Sequence, residues 1–285
     1  KKKNRHPNAN EEDEFWKPRS EDKYVAFISG LGLGNIGSGS GSGGVGVVSN
    51  GHGSRSKDPN PPPAPPPSSL DALLRLDLAL DFLAGRGGSL ASARLASHVV
   101  RLVVLGRTVG RLAALPSATP YSRTQNYALQ PLKDLDALLA SLGAEGLAID
   151  LMPGLDDPTE MSLPQQPLHR CLLPGSTALQ LGSGAVRLVT NPHEIQLDGV
   201  DILCTSGQNV DDVARYGRHK NSLTVMERLL TWRHVAPTAP DTLACFPFSE
   251  DDPFILRRTP HVYVAGNQPR FMTKVVYGKY GLETE

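Results

Sequence analysis

The chain has little cysteine, few aromatic residues and no surplus of either charge. Its three cysteines, Cys171, Cys204 and Cys245, lie far apart, with no C-x-x-C pair. That excludes a zinc knuckle and a disulfide framework, and it fits the reduced thiols of a nuclear or cytosolic protein. Lysine plus arginine and aspartate plus glutamate number 29 each, so the formal net charge is zero. No field over the whole molecule draws it to nucleic acid or to an anionic membrane. The densest basic stretch, Arg215, Arg218, His219 and Lys220, reads as a solvated helix end. No run approaches the ~20 apolar residues of a membrane span, so no membrane partner is expected. The basic start, Lys1-Lys2-Lys3-Asn4-Arg5, has no apolar stretch behind it. It is therefore not a signal peptide, and it can be read as a nuclear signal.

What is present is enough chain, at 285 residues, for one large domain or two small ones with a sizeable core. Residues 1–23 are polar and mixed in charge and read as a tail. Tyr24 to Ser29 is a short apolar run ending in Gly30, the pattern of a buried strand feeding a turn. Composition then changes. From Asn35 to Ser69 the chain is Gly/Ser-rich and then Pro-rich, without the apolar side chains that offset ordering entropy. This predicts a disordered insertion in a surface loop. Ser68 or Ser69 can cap a helix over 70–84, with Asp71 and Arg75 paired at i,i+4 and Gly85 ending it. Val99–Gly106 and Leu147–Met152 read as buried strands, with a helix near 128–141 between them. Val186–Thr190 and Ile202–Thr205 are further short strands, Val210–Tyr216 and Leu223–Trp232 are helical, and His261–Ala265 and Met272–Tyr277 are the last strands. Strands alternating with helices predict an α/β (α+β) layered fold.

Ligands of such folds bind at loops following the carboxyl ends of strands, and these loops carry little chemistry. Ser29-Gly30-Leu31-Gly32-Leu33-Gly34 resembles a dinucleotide loop only superficially. It runs into the Gly/Ser segment rather than a helix, and no acidic residue ends a following strand at the required distance. No cofactor is expected. His98, His169, His193, His234 and His261 have no H-x-H or H-x-x-x-H spacing, and each reads as a hydrogen-bonded structural residue. Ser206 precedes a Gly but lacks the G-x-S-x-G elbow. Cys204 lies within a strand pattern and reads as buried and inert. Asp156 and Asp157 share one loop before Pro158, where turn formation or capping is the ordinary role. Gln208 to Asp212 reads as a helix start with its acids near the positive end of the dipole.

Four strings carry more information. They are Leu163-Pro164-Gln165-Gln166-Pro167-Leu168-His169, Thr205 to Asp212, Pro237 to Leu243, and His261 to Asn267. Their order and wording resemble the B-subunit family of replicative DNA polymerases, from about Tyr24 to Tyr277. Pro164-Gln165-Gln166-Pro167 and Ser206-Gly207-Gln208-Asn209 read in the delta small-subunit form. The resemblance implies a calcineurin-like phosphodiesterase fold of two stacked β-sheets flanked by helices, with a degenerate metal site. A dinuclear site needs Asp, His and Asn from several loops. Matched by order, the family positions here hold Ser29 and Leu31, then Arg107 in place of a bridging carboxylate, then Leu155, Asp156 and Asp157. Ser206, Asn267 and Pro269 follow. Neither a metal nor a catalytic residue is therefore expected.

The resemblance also implies a non-catalytic accessory subunit. Its partners would be the C-terminal domain of the polymerase delta catalytic subunit and a third subunit that leads to the sliding clamp. DNA would be met only through that complex, in the nucleus, with no small-molecule substrate. The family carries an OB-fold and C-terminal strands, and both are expected to be missing from this chain; the 35–69 insertion is longer than the ordinary family loop. Pro and aromatic residues concentrate in Leu163–Pro174 and Pro237–Phe254. Leu168, Phe246, Phe248 and Phe254 are accordingly the candidate partner contacts. The competing readings are an active metal-dependent phosphoesterase and a stand-alone nucleic-acid-binding module.

Overall fold

The computed structural model describes residues 22–33, 69–110, 123–180 and 185–277. The expected tail and, up to Ser69, the expected disordered insertion lie outside these, except that Lys23 pairs with Asp198 at 2.6 Å. The Asp71 side chain of the expected Asp71–Arg75 pair also lies outside.

The first strand, β1, spans Tyr24–Ile28. Helix α1 spans Ser69–Leu83, burying Leu76 and Leu80 one turn apart. Past it, Gly85 takes φ +76°, the left-handed conformation that glycine adopts without penalty. Helix α2, Leu90–Ser97, has no counterpart in the sequence pattern. It is short, and Ser89 caps it by accepting from the Ser92 amide at 3.0 Å. Then come β2 (Val99–Leu105), α3 (Arg123–Ala144), β3 (Ala148–Met152), a 3₁₀ turn (Arg170–Leu172) and α4 (Pro174–Gln180). Strands β4 (Val186–Leu188), β5 (His193–Leu197) and β6 (Val200–Thr205) follow, then α5 (Gln208–Tyr216), α6 (Ser222–Trp232) and β7 (Val262–Ala265).

Strands β1 to β4 form a parallel sheet in sequence order, and β5, β6 and β7 form a second, mixed sheet with β5 antiparallel to β6 and β7 parallel to it. Alternation along the strands sorts side chains into layers. Leu102, Val104, Ile149, Leu151 and Val186 face Leu76, Leu80 and the α3 leucines Leu132, Leu135 and Leu139. Val103, Leu105 and Met152, on the other face, pack against Ile195, Ile202 and Cys204 of the second sheet. Outside that sheet, Val210, Val213, Val225 and Leu229 of α5 and α6 cover Tyr263 and Ala265. The architecture is mixed α/β, two sheets face to face with helices on both outer faces. Burial pushes the Cys204 thiol up to about 12, so it is an inert core residue.

Two expectations need correction. β1 is an edge strand rather than a buried one, and Phe27 is 36 % exposed. Met272–Tyr277 forms no strand: no strand among the described residues lies beside it, and β propensity without a neighbouring strand does not order a segment. Phe271 and Tyr277 stand 93 % and 85 % exposed. Strand β5, in turn, is an element that the apolar pattern does not announce. It enters a two-residue hairpin at Asp198-Gly199, whose φ values of +48° and +82° match the twist of the flanking strands.

Candidate functional site

Five loops leave the carboxyl ends of β1, β2, β3, β6 and β7 and converge. They come very close because small residues stand at the crossing points. A Cβ on Gly106 would lie 2.7 Å from the Gly154 Cα, and one on Gly154 would lie 2.6 Å from the Arg107 amide nitrogen. A Cβ on Gly207, at φ +89°, would overlap the Gly266 carbonyl oxygen. Arg107 and Asn267 both adopt positive φ, +53° and +56°. Side chains other than Asn and Gly take that conformation at a cost, so Arg107 marks a locally constrained turn.

A chain of neutral side chains joins the loops. Asn267 donates three times: its amide to Ser29 Oγ at 3.0 Å, and its Nδ2 to the Leu105 and Ser206 carbonyls at 3.0 and 2.8 Å. The Ser206 amide donates to Asn191 Oδ1 at 3.1 Å, and Asn191 Nδ2 donates to Ser206 Oγ at 2.8 Å and to Gln165 Oε1 at 2.7 Å. Gln165 Nε2 reaches the Gly154 carbonyl at 3.2 Å and the Glu160 carbonyl at 2.8 Å. Gln208, at the start of α5, donates to Gln165 Oε1 at 3.2 Å. Gln165 is fully buried, and Asn191 and Ser206 nearly so. These three satisfy one another, as buried polar groups must.

The charged residues play different parts. Asp157 is buried and accepts from the Thr108 amide, the Thr108 hydroxyl, the Val109 amide and the Gly154 amide, all between 2.7 and 2.9 Å. Burial nevertheless outweighs those donors and raises its pKa. It ties the β2 loop to the β3 loop. Asp156 instead turns outward to Arg107, with an Nε–O distance of 2.9 Å. Asp211, in the first turn of α5, receives Gln268 Nε2 at 3.1 Å. Burial raises its pKa against the opposing pull of Gln268 and of the Arg107 and Arg215 cations.

The structure therefore brings together Ser29, Arg107, Asp156, Asp157, Ser206 and Asn267. Leu31 packs against the helix-side core, Leu155 is exposed, and Pro269 lies on the surface. Among the described residues, no group of three or more His, Cys, Asp or Glu is disposed to hold a metal. The histidines serve locally: His98 contacts the Asp22 carbonyl, His169 caps the 3₁₀ turn and His234 pairs with Asp252. The basic stretch after α5 is largely a cap, with Lys220 donating to the Ala214 and Arg215 carbonyls.

Of the candidate partner contacts, Leu168 and Phe254 are corrected. Each is 2 % exposed and belongs to the chain's own core, Phe254 packing with Leu163, Leu203 and Val235. Proline and aromatic content cannot distinguish a loop that packs inward from one that packs outward. Phe246 and Phe248 are exposed, 56 % and 48 %, and their rings rest on each other at 5.4 Å. The backbone at Phe246 is fixed. The Leu163 amide donates to the Ala244 carbonyl at 2.9 Å and the Phe246 amide to the Leu163 carbonyl at 2.8 Å, so the two Pro-rich stretches form one surface.

Residue types alone do not mark Asn191, nor the part that Gln165 and Gln208 play in the network. The signal in the sequence is the repeated appearance of uncharged amides in the strings that carry the resemblance.

A family model described as the B-subunit of DNA polymerase alpha/epsilon matches residues 69–273. The chain is 37 % identical to the DNA polymerase delta small subunit of Oryza sativa subsp. japonica over 267 residues, covering 91 % of this chain and 52 % of that protein. It is 37 % identical to the DNA polymerase delta small subunit of Arabidopsis thaliana over 262 residues, 92 % of this chain and 51 % of that protein. With the DNA polymerase delta subunit 2 of Drosophila melanogaster it shares 44 % identity over 202 residues, 69 % of this chain and 46 % of that protein. It thus spans about half the length of the curated relatives it matches. With more than half its length matched by the family model and these identities sustained over most of it, the chain belongs to the DNA polymerase alpha/epsilon B-subunit family.

Proposed function

We propose that this chain is the phosphodiesterase-like portion of a DNA polymerase delta small subunit, catalytically inactive and acting in DNA replication as a scaffold. The observation that carries the reading is the content of the converging loops. Where a calcineurin-like phosphodiesterase would hold two cations, this chain has neutral Asn, Gln and Ser side chains hydrogen-bonded to one another and to loop carbonyls. The Arg107 cation on the β2 loop faces Asp156. A two-metal reaction needs several hard anionic or imidazole ligands to bind the cations and activate water. Here one carboxylate is consumed in binding backbone amides and another in an ion pair.

Freed from catalysis, the same loops form a rigid platform. Its partners are the C-terminal domain of the catalytic subunit and the third subunit of the complex, reached in the nucleus, with DNA contacted through the assembly. The exposed Phe246–Phe248 pair supports a protein contact, because aromatic anchors on a fixed backbone lose little entropy on docking.

Two measurements test this. Co-purification of the chain with the C-terminal domain of a polymerase delta catalytic subunit is expected, and its absence at micromolar concentrations defeats the scaffold. Hydrolysis of bis-p-nitrophenyl phosphate with manganese is expected to stay at background. Activity lost on joint substitution of Asp156 and Asp157 overturns the inactive reading.

A further inference from the structure

We propose that the free edge of β5, with the groove beside it, receives an extended strand of a partner polypeptide. The two-residue turn at Asp198-Gly199 makes Leu197 and Val200 the closing pair of the hairpin, with Ile195 opposite Ile202 and His193 opposite Cys204. In an antiparallel ladder the main-chain groups of alternate residues point to opposite sides. Those of His193, Ile195 and Leu197 therefore meet β6, and those of Glu194 and Gln196 point outward. Consistently, Asp201, the β6 residue opposite Gln196, turns its carbonyl away from β5 to the His261 amide at 2.9 Å. No backbone hydrogen bond reaches Glu194 or Gln196 from outside the ladder among the described residues. A strand edge of this kind is the template for β-augmentation.

A groove of about 570 Å³ lies over β5 and β6 beside that edge, lined by Glu194, Gln196, Leu203, Pro253, Ile255 and Arg258 among others. Ile255 is 49 % exposed within it. Three of its carboxylates are already engaged: Asp251 pairs with Arg257 at 2.6 Å, Asp252 accepts from His234 Nε2 at 2.9 Å, and Asp201 accepts from Gln196 Nε2 at 2.9 Å. Glu194 and Arg258 have no ion-pair partner among the described residues. The complementary guest is an extended segment whose groove-facing, alternate positions are apolar in the middle, basic at the end near Glu194 and acidic at the end near Arg258. The ladder supplies affinity and the groove supplies sequence preference.

The test uses two fluorescein-labelled peptides, Lys-Thr-Val-Thr-Val-Thr-Glu and Glu-Thr-Val-Thr-Val-Thr-Lys, read by anisotropy against the full chain. One order is expected to bind with a Kd in the micromolar range, and its alternately N-methylated form is not. Gln196→Pro removes an outward N–H together with the exposed Gln196 Nε2–Asp201 bond of 2.9 Å, which Gln196→Ala removes as well, so β5 keeps its backbone ladder to β6. It is expected to weaken the bound peptide at least about tenfold with unchanged far-ultraviolet circular dichroism, a tenfold change being one factor of ten in Kd. Gln196→Ala is expected to bind like the unsubstituted chain, and Glu194→Lys to weaken the same peptide. Absence of binding by either peptide at millimolar concentration overturns the proposal, as does full binding by a folded Gln196→Pro chain. Such a failure leaves the scaffold reading untouched, because no polymerase subunit enters the assay.

Discussion

Gln165 and Asn191 are joined three times. The Gln165 amide donates to the Asn191 carbonyl at 2.8 Å, the Asn191 amide returns to the Gln165 carbonyl at 3.1 Å, and Asn191 Nδ2 donates to Gln165 Oε1 at 2.7 Å. An isolated antiparallel bridge thus links the loop after β3 to the entry of β5. The side-chain bond then couples this bridge to the β6 loop through Ser206. Neutral hydrogen bonds thus hold together the loop after β3, the entry of β5 and the β6 loop.

Asn191→Ala is therefore expected to destabilise the chain by about 2–3 kcal/mol, because it orphans the buried Ser206 amide and leaves Gln165 Oε1 only the 3.2 Å bond from Gln208. Urea unfolding measures this through the midpoint at unchanged slope. Addition of magnesium or manganese is expected to restore nothing. Rescue by either ion would show that the junction can be rebuilt as a metal site.

Asp150 predicts how stability responds to acid. It is fully buried on β3, with Arg101 Nη1 at 2.9 Å from both carboxylate oxygens, Arg187 at 2.7 and 2.9 Å, and His193 at 3.7 Å. Burial opposes its charge, but His193, Arg187 and Arg101 together outweigh burial and hold its pKa well below the usual carboxylate range. A depressed folded-state pKa contributes stability that is present above the unfolded value, about 3.9, and lost as pH falls toward the folded one. Asp150→Asn is expected to cost about 3 kcal/mol at pH 7, where it leaves two guanidinium groups uncompensated. It is also expected to flatten the loss of stability below pH 4. Urea midpoints at pH 7, 5 and 3 check both, and an unchanged acid slope refutes the assignment.

The parallel strands are legible in the sequence because Leu102–Leu105 and Ile149–Met152 are buried on both faces and their strands read as apolar runs interrupted by one charge each, Arg101 and Asp150. Helices α5 and α6 are legible from the spacing of Val210, Val213, Val225 and Leu229, and α5 from the acid in its first turn. Strand β5 is not, because His193-Glu194-Ile195-Gln196-Leu197 is half polar, as an edge strand with one solvated face must be. Its Asp-Gly turn is the signal that marks it. At the site, the sequence places Asp156 and Asp157 on one loop, but does not show that Asp157 binds backbone while its neighbour Asp156 does not. That difference arises from which loop crosses beneath each carboxylate, a tertiary fact invisible in two identical residues.

This difference yields its own test. Asp157→Asn replaces an acceptor of four hydrogen bonds with an amide whose NH₂ faces donors, and about 2–4 kcal/mol of stability should be lost. Asp156→Asn breaks a half-exposed ion pair with Arg107 and should cost no more than about 1 kcal/mol. Thermal unfolding of the two variants side by side decides it. Equal effects would mean that both carboxylates share one role.

The phenylalanines of the 237–254 stretch separate folding from binding. Phe254 is 2 % exposed, so Phe254→Ala should cost about 3–5 kcal/mol through lost burial and the cavity left behind. Phe246 and Phe248 touch each other over solvent, and Phe246→Ala with Phe248→Ala should change stability by about 0.5 kcal/mol or less each. If this pair anchors the catalytic subunit's C-terminal domain, the double substitution should weaken that complex by at least about tenfold, or 1.4 kcal/mol. Calorimetric titration of the folded double variant against that domain gives the answer. Undiminished affinity would remove the aromatic pair from the interface, and the exposed backbone segment fixed to Leu163 would then be surface without a partner role.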